Sequence, residues 1–415
     1  MAKEISIICL FLTINNGCCQ TLDDAKNLFT ELFINKSYNK QVRPITDQYY
    51  AIPVTVYFEL FGIHELDEVA EKIAVAGFLD IIWTDEHLVW DRAAYNDIDA
   101  IFVLQNTIWK PDIVLKNGFS KFEELGGSFY YVRVRSDGRT FWYPYHVFES
   151  QCSIDVTFYP FDEQTCNIIF TIWTYRYYEV DFDPDSQLGL GGYIENSIWE
   201  IISTSVQTKM VLGSSEIIFT INLRRKPTYY IVNIIIPLIF LCILNSIVFI
   251  IPADAGEKIS YSVTVFLSFA VFLTMITAQL PINSESTSIL SIYIVVQLGY
   301  CILFLVVNAF QLRIHHRKEC NEKSKIYVIA VKLQRRICCW RKKIHHDTPE
   351  QGRIDVEDGR VTGNASSKMN HIEDAIIWRD VSSAIDFFGF WILMGTDLII
   401  ALLIFIYISA IKPGI

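Results

Sequence analysis

"CSIDVTFYPFDEQTC", Cys152 to Cys166, is the stretch on which the reading of this chain turns. Thirteen residues separate its two cysteines, around an aromatic–Pro–Phe centre with acids on the far side. The pattern admits a disulfide staple, half of a metal site, or a loop built to touch another part of the molecule. The compartment decides between them, and the flanking sequence reports it.

Hydrophobic residues make up 52% of the 415 and charged residues only 20%, too apolar for an average soluble protein. The excess lies in Tyr229–Ile251, Ile259–Ile282 and Ile289–Phe310, which carry no charge, and in Phe387–Ile411, where Asp397 is the single charged residue. Each run is long enough to cross about 30 Å of hydrocarbon as a helix. Residues 1–20 combine Lys3, the apolar "ISIICLFLTI" and the small, polar "NNGCCQ", the pattern of a signal peptide. The expected order is therefore signal peptide 1–20, extracellular domain 21–228, three membrane helices in 229–312, cytoplasmic loop 313–385, and a fourth helix with a short extracellular tail in 386–415. Charge agrees: "RIHHRK" follows the third run, and "NSEST" before it has no Lys or Arg, which puts the basic loop inside.

The ten cysteines then sort by compartment. Three fall in the signal, Cys242 and Cys301 in spans, and Cys320, Cys338 and Cys339 in the cytosol. Only Cys152 and Cys166 face an oxidising space, so they are expected to bond each other. No second Cys or His pair stands at zinc spacing, so neither metal nor cofactor is expected. A net charge of −11 argues against nucleic acid as a partner. With His64, His87 and His146 as the only exterior bases and no Ser–His–Asp set or carboxylate pair, an enzyme is not expected.

"LDDAKNLFTELF" spaces its apolar residues as a short amphipathic helix, and Asn35 in "NKS" is a glycosylation acceptor sequence. From Ile52 to Leu223 short alternating runs such as "IPVTVYFELF", "SFYYVRVR" and "EIIFTINL" are separated by Gly, Asn, Asp and Pro. That pattern predicts an all-β, immunoglobulin-like sandwich of about ten strands. Residues 313–385 are polar and read as partly disordered, with helical ends, the second running directly into the fourth span.

"WTDEHLVW" (83–90), "WKPDIVL" (109–115), the Cys152–Cys166 loop, "IWTY" (172–175), "RRKPTYYIVNIIIP" and "PADAGEKISYSVTVFLSF" together resemble the pentameric Cys-loop ligand-gated channels, and the nicotinic acetylcholine branch in particular. The resemblance implies a homo- or hetero-pentamer among membrane lipids in the plasma membrane, multi-pass and with an exterior N-terminus, in some members postsynaptic. A small-molecule ligand is then expected between subunits. Coupling to the pore is expected from Glu68 beside Arg225, from Tyr159, Pro160 and Phe161 at the loop tip, and from Pro281.

Ser260, Thr264, Leu267, Val271 and Ala278 are spaced by four, three, four and seven residues, one stripe of a helix. Five copies would give a polar throat and then apolar rings that close by dewetting. Glu257 before the stripe would form a negative ring favouring cations, whereas the family's anion channels resemble "PAR" at "GEK". In the family the lysine equivalent to Lys258 points away from the pore. For the ligand, the resemblance assigns Trp173 and Tyr175 in "IWTY" to one side and Phe78 to the other. The match then departs: Lys116 stands where a tyrosine is expected, and "STSVQTKMVLGSSE" lacks paired cysteines and tyrosines, with Ser214 near the last tyrosine's place. Arg133 or Arg135, with Tyr143, would face the cavity. Such a pocket suits an anionic, zwitterionic or larger amphipathic molecule better than acetylcholine. Two rival readings are an anion-conducting receptor of the same fold and an accessory subunit that does not bind ligand.

Overall fold

Period-two burial builds the first unit of the chain. In β1 (Ile52–Asp67), Val54, Val56, Phe58 and Leu60 are buried, while Thr55, Tyr57, Glu59 and Phe61 lie on the opposite face. The same alternation runs through β2 (Lys72–Val89) and β12 (Ser214–Arg225). A computed structural model describes residues 20–119, 124–280, 287–318, 324–343 and 376–411. The expected signal peptide, Pro281 and much of the loop before the fourth helix lie outside the described residues.

One compact unit comprises Met1–Asp155 with Phe161–Lys226, and a second comprises Val156–Pro160 with Pro227–Ile415. In the first, the larger sheet joins β1 and β2 to β3 (Ala100–Leu104), β5 (Tyr131–Arg135), β6 (Asp137–Trp142), β7 (Tyr145–Gln151), β9 (Val180–Phe182) and β10 (Gln187–Gly189). Its main path runs β10-β1-β2-β6-β5-β3, with β7 on β2 and β9 on β1. The smaller sheet runs β11-β12-β8-β4, from β4 (Ile113–Leu115), β8 (Glu163–Ile172) and β11 (Trp199–Val211). Strands β9 and β10 pair parallel to β1 and the other pairings are antiparallel. This is the sandwich that the alternation predicts.

Phe58 and Phe148 from the larger sheet meet Phe170 and Phe219 from the smaller, with centroids 5.1 to 6.5 Å apart in edge-to-face geometry. All four rings are buried, and such pairs add about 0.5–1.5 kcal/mol beyond the area they remove from water. Cys152 and Cys166 form a disulfide between the end of β7 and β8. Before β1 stands α1 (Leu22–Phe29), opened by a capping box between Thr21 and Asp24 and continued by a π-helical turn, Thr30–Asn35. Asn35 is exposed, and its amide nitrogen donates to Glu31 at 2.7 Å.

The second unit holds four helices long and apolar enough to cross a membrane: Thr228–Ile250, Lys258–Thr277, Ile289–His315 and Trp378–Leu403 within Trp378–Ile411. The fourth helix begins well before its apolar run. Its first turns bury Trp378, Val381 and Ala384 against Ile314 and against Val331 of the helix Lys325–Lys343, so packing rather than hydropathy sets that start. The second helix ends at Thr277, short of Ile282, four residues ahead of Pro281, whose ring disfavours helical backbone just before it. The fourth helix packs on the first and third and leaves Leu398, Ile399, Leu402 and Leu403 more than half exposed.

Candidate functional site

Trp173 follows β8 and is 62% exposed. The segment is fixed by its backbone: the Trp173 amide donates to the Asp112 carbonyl at 3.2 Å, and the Thr174 amide donates to the Asp112 carboxylate. Strands β11 and β12 meet in a two-residue turn at Leu212 and Gly213, both with positive φ. Ser214 is the first residue past that turn. Arg176 donates to the Leu212 carbonyl at 3.2 Å and the Tyr177 amide to the Gly213 carbonyl at 3.1 Å, so the tip is tied to the segment that carries Trp173. The tip itself is apolar, with Met210 64% and Leu212 93% exposed. Neither residue carries an aromatic or charged signal in the sequence that would have marked it.

Two of the expected ligand residues have other work. Tyr175 accepts a hydrogen bond from the Trp109 indole at 3.2 Å, within a network that runs from the Trp109 amide to the Tyr38 hydroxyl (3.0 Å) and on to the Asp85 carboxylate (2.7 Å). Asp85 is fully buried; burial raises its pKa, which the Tyr38 hydroxyl partly offsets. Much of "WTDEHLVW" and "WKPDIVL" is thus scaffold that holds the Trp173 segment. Lys116 is the second: its ammonium ion-pairs with Glu216 of β12, whose side chain is 3% exposed. An acid so buried needs a cation close by, and Glu216 breaks the alternation of β12, in which Ile218, Thr220 and Asn222 are only half-buried, so the strand pattern gave no sign of it.

Phe78 lies on the outward face of β2, 5.5 Å from Phe61 and 6.0 Å from Tyr143, and Phe61 is 6.2 Å from Tyr145. Sequence reading missed Phe61 and Tyr145 in this aromatic patch. Arg133 and Arg135 do share a face of β5, between buried Val132 and Val134. Each already has an acid: Arg133 lies 3.9 Å from Asp99 and over the Phe141 ring, and Arg135 lies 4.0 Å from Asp137. Asp80, two residues beyond Phe78 on the same face, has a buried Oδ1 without a hydrogen-bond partner among the described residues. Burial pushes its pKa up to about 6. Lys116, Arg133 and Arg135 thus each stand near an acid, and Glu216 is shared by Lys116 and by Lys209 at 3.9 Å.

Arg225, at the end of β12, has a guanidinium with 0% exposure. It donates to Asp162 at 2.7 and 3.1 Å and to Glu68 at 2.8 Å, and it lies 4.3 Å from the Trp199 ring. Asp162 was not among the expected residues, although it adjoins Phe161 in the disulfide loop. The tip residues Val156–Pro160 fall in the helical unit, while Phe161 falls in the sandwich unit. There the Tyr159 hydroxyl donates to Gln279 at 3.2 Å, its ring lies 5.3 Å from Tyr230, and the Thr157 carbonyl accepts from the Ile289 amide at 3.0 Å.

On the second membrane helix Ser260, Thr264, Leu267 and Val271 are exposed, as is Ala278 just past its end, and Lys258, Ser262, Val265, Phe269 and Ile276 are buried on the other side. Thr274 and Met275, exposed as well, fill the gap after Val271. Glu257 is exposed at the start of the helix. Lys258 is turned inward, bonded to Asp386 of the fourth helix and 3.4 Å from Gln311 of the third.

The family model for the neurotransmitter-gated ion-channel ligand binding domain matches residues 25–227, and that for the neurotransmitter-gated ion-channel transmembrane region matches 234–377. The neuronal acetylcholine receptor subunit alpha-6 of Mus musculus is 32% identical over 379 residues, 88% of this chain and 74% of the relative. Its Homo sapiens counterpart is 34% identical over 339 residues, 79% and 67% of the two chains. The acetylcholine receptor subunit delta of Xenopus laevis is 29% identical over 337 residues, 75% and 64%. The chain belongs to the neurotransmitter-gated ion-channel family.

The Arg225 cluster makes an ordered prediction. Asp162 is the more deeply buried of the two acids, 1% against 22% exposed, so Asp162→Asn should lower the thermal midpoint of the full chain more than Glu68→Gln does. Arg225→Gln, which strands Asp162, should cost about 3–5 kcal/mol. Equal, small shifts for all three would show the cluster to be marginal.

Proposed function

We propose that the chain is a subunit of a pentameric ligand-gated cation channel of the plasma membrane, with its sandwich unit outside the cell. Five second helices would line the pore with their exposed stripe. The observation that carries the cation reading is the burial of Lys258 against Asp386. Its charge is spent inside the bundle, so the ring at the inner mouth is made by Glu257 alone, and a ring of acids selects cations. Glu257→Ala in all five subunits should lower cation preference and conductance, read as reversal potentials in asymmetric NaCl. A native reversal that follows chloride would overturn the reading.

The ligand would sit between sandwich units, with Trp173, Met210 and Leu212 of one subunit facing Phe61, Phe78, Asp80 and Tyr143 of the next. Fewer rings than a small quaternary ammonium needs for cation–π capture, an apolar hairpin tip and one unmatched carboxylate favour a larger amphipathic amine over acetylcholine. Tyr159, bonded to Gln279 just past the second helix, is the proposed route from the loop to the pore.

An ionised Asp80 is the form that binds an amine. Since its pKa is pushed up to about 6, amine affinity should be full above that pH and fall as pH drops through it. Asp80→Asn should weaken amine binding at pH 7.5 by about tenfold and flatten the pH profile, and Trp173→Ala should abolish binding. Hydrophobic amines titrated against tryptophan fluorescence give the readout. Robust currents from micromolar acetylcholine in the homomer, or binding indifferent to the loss of Trp173, would sink the proposal.

A further inference from the structure

Asp397 stands near the middle of the apolar run Phe387–Ile411. A carboxylate at that depth is costly unless paired or hydrated, and such residues mark functional sites by default. Its Oδ1 accepts from the Gln297 amide, and among the described residues no cation pairs with it. One donor leaves most of a carboxylate's acceptor capacity unused.

The acid lies on the wall of a cavity of about 260 Å³ between the first, third and fourth membrane helices, among Ile239, Ile243 and Ile247 on one side, Tyr293 behind, and Phe390 and Met394 alongside. Two more polar groups converge there, the Cys242 thiol and the Tyr293 hydroxyl, 3.4 Å apart. Ile239, Ile243, Ile250 and Leu398 on its rim are between 50% and 63% exposed, so the cavity is reached from the outer surface of the first and fourth helices. Its walls are apolar and its one charge is negative. The space is smaller than the roughly 300–1,000 Å³ of a pocket that encloses a whole drug-sized ligand, so it admits a head group and the start of a chain.

We propose that this cavity binds a single-chain lipophilic amine arriving from the bilayer, with the ammonium on Asp397 and the chain leaving along the fourth helix. The ammonium supplies the counter-charge that the helices lack, and its hydrogen-bond donors have Asp397 and the Tyr293 oxygen to meet. The site is independent of the ligand site between sandwich units.

The test uses the full-length channel in phosphatidylcholine vesicles with a diazirine-bearing dodecylamine, and crosslinks mapped by mass spectrometry. Labelling should fall at Tyr293, Met394 or their neighbours, and dodecylamine should compete at an about tenfold lower membrane fraction than dodecanol. Asp397→Asn keeps the bond to Gln297 while removing the charge; it should erase the advantage of the amine and leave competition by dodecanol unchanged. Met394→Trp, which fills the cavity, should reduce labelling outright. Equal competition by amine and alcohol in the native channel, preferential competition by dodecanoic acid, or an amine preference that survives Asp397→Asn would overturn the proposal. The native comparison decides even where a variant does not assemble.

Discussion

A guanidinium with no exposure, held between two carboxylates, closes the sandwich where it leads into the membrane. Arg225 is the last residue of β12, and the first membrane helix starts at Thr228. Its partners come from distant places in the chain: Glu68 follows β1 and Asp162 lies inside the disulfide loop. Burying one charge alone would cost several kcal/mol, so the three groups must be placed together or not at all. That condition fixes the β1–β2 connection, the loop and the end of β12 relative to one another.

The same rule runs through both units. Glu216 is buried and Lys116 answers it; Lys258 is buried and Asp386 answers it. The first pairing occupies a lysine that the sequence reading had assigned to the ligand, and the second holds Lys258 within the helical unit. What remains unmatched is correspondingly informative. Asp80 on the sandwich face, Glu257 at the mouth of the second helix and Asp397 in the fourth are three acids for which no ion pair is seen among the described residues.

Much of the architecture was legible residue by residue. Alternation gave the strands because a strand has only two faces, and long apolar runs, three of them uncharged, gave the four helices because charge is costly in hydrocarbon. The stripe from Ser260 to Ala278 was readable because helical spacing is local. The start of the fourth helix at Trp378 was not, since it depends on Ile314 and Val331 of two other helices. Nor was the role of Tyr175, which is set by an indole 66 residues away in the chain.

The sequence by itself therefore determined the class of each element, the pairing expected of Cys152 with Cys166 and the family to which the motifs point, since these follow from short-range periodicity, composition and motif. Only the tertiary structure decided which charges are free. Lys116, Arg133, Arg135 and Lys258 look alike as letters, yet each is matched by an acid or amide that strand register or helix packing brings from elsewhere. Electrostatic attraction acts over a few ångströms of space and takes no account of distance along the chain. The surroundings of Asp80 and of Asp397 were settled there.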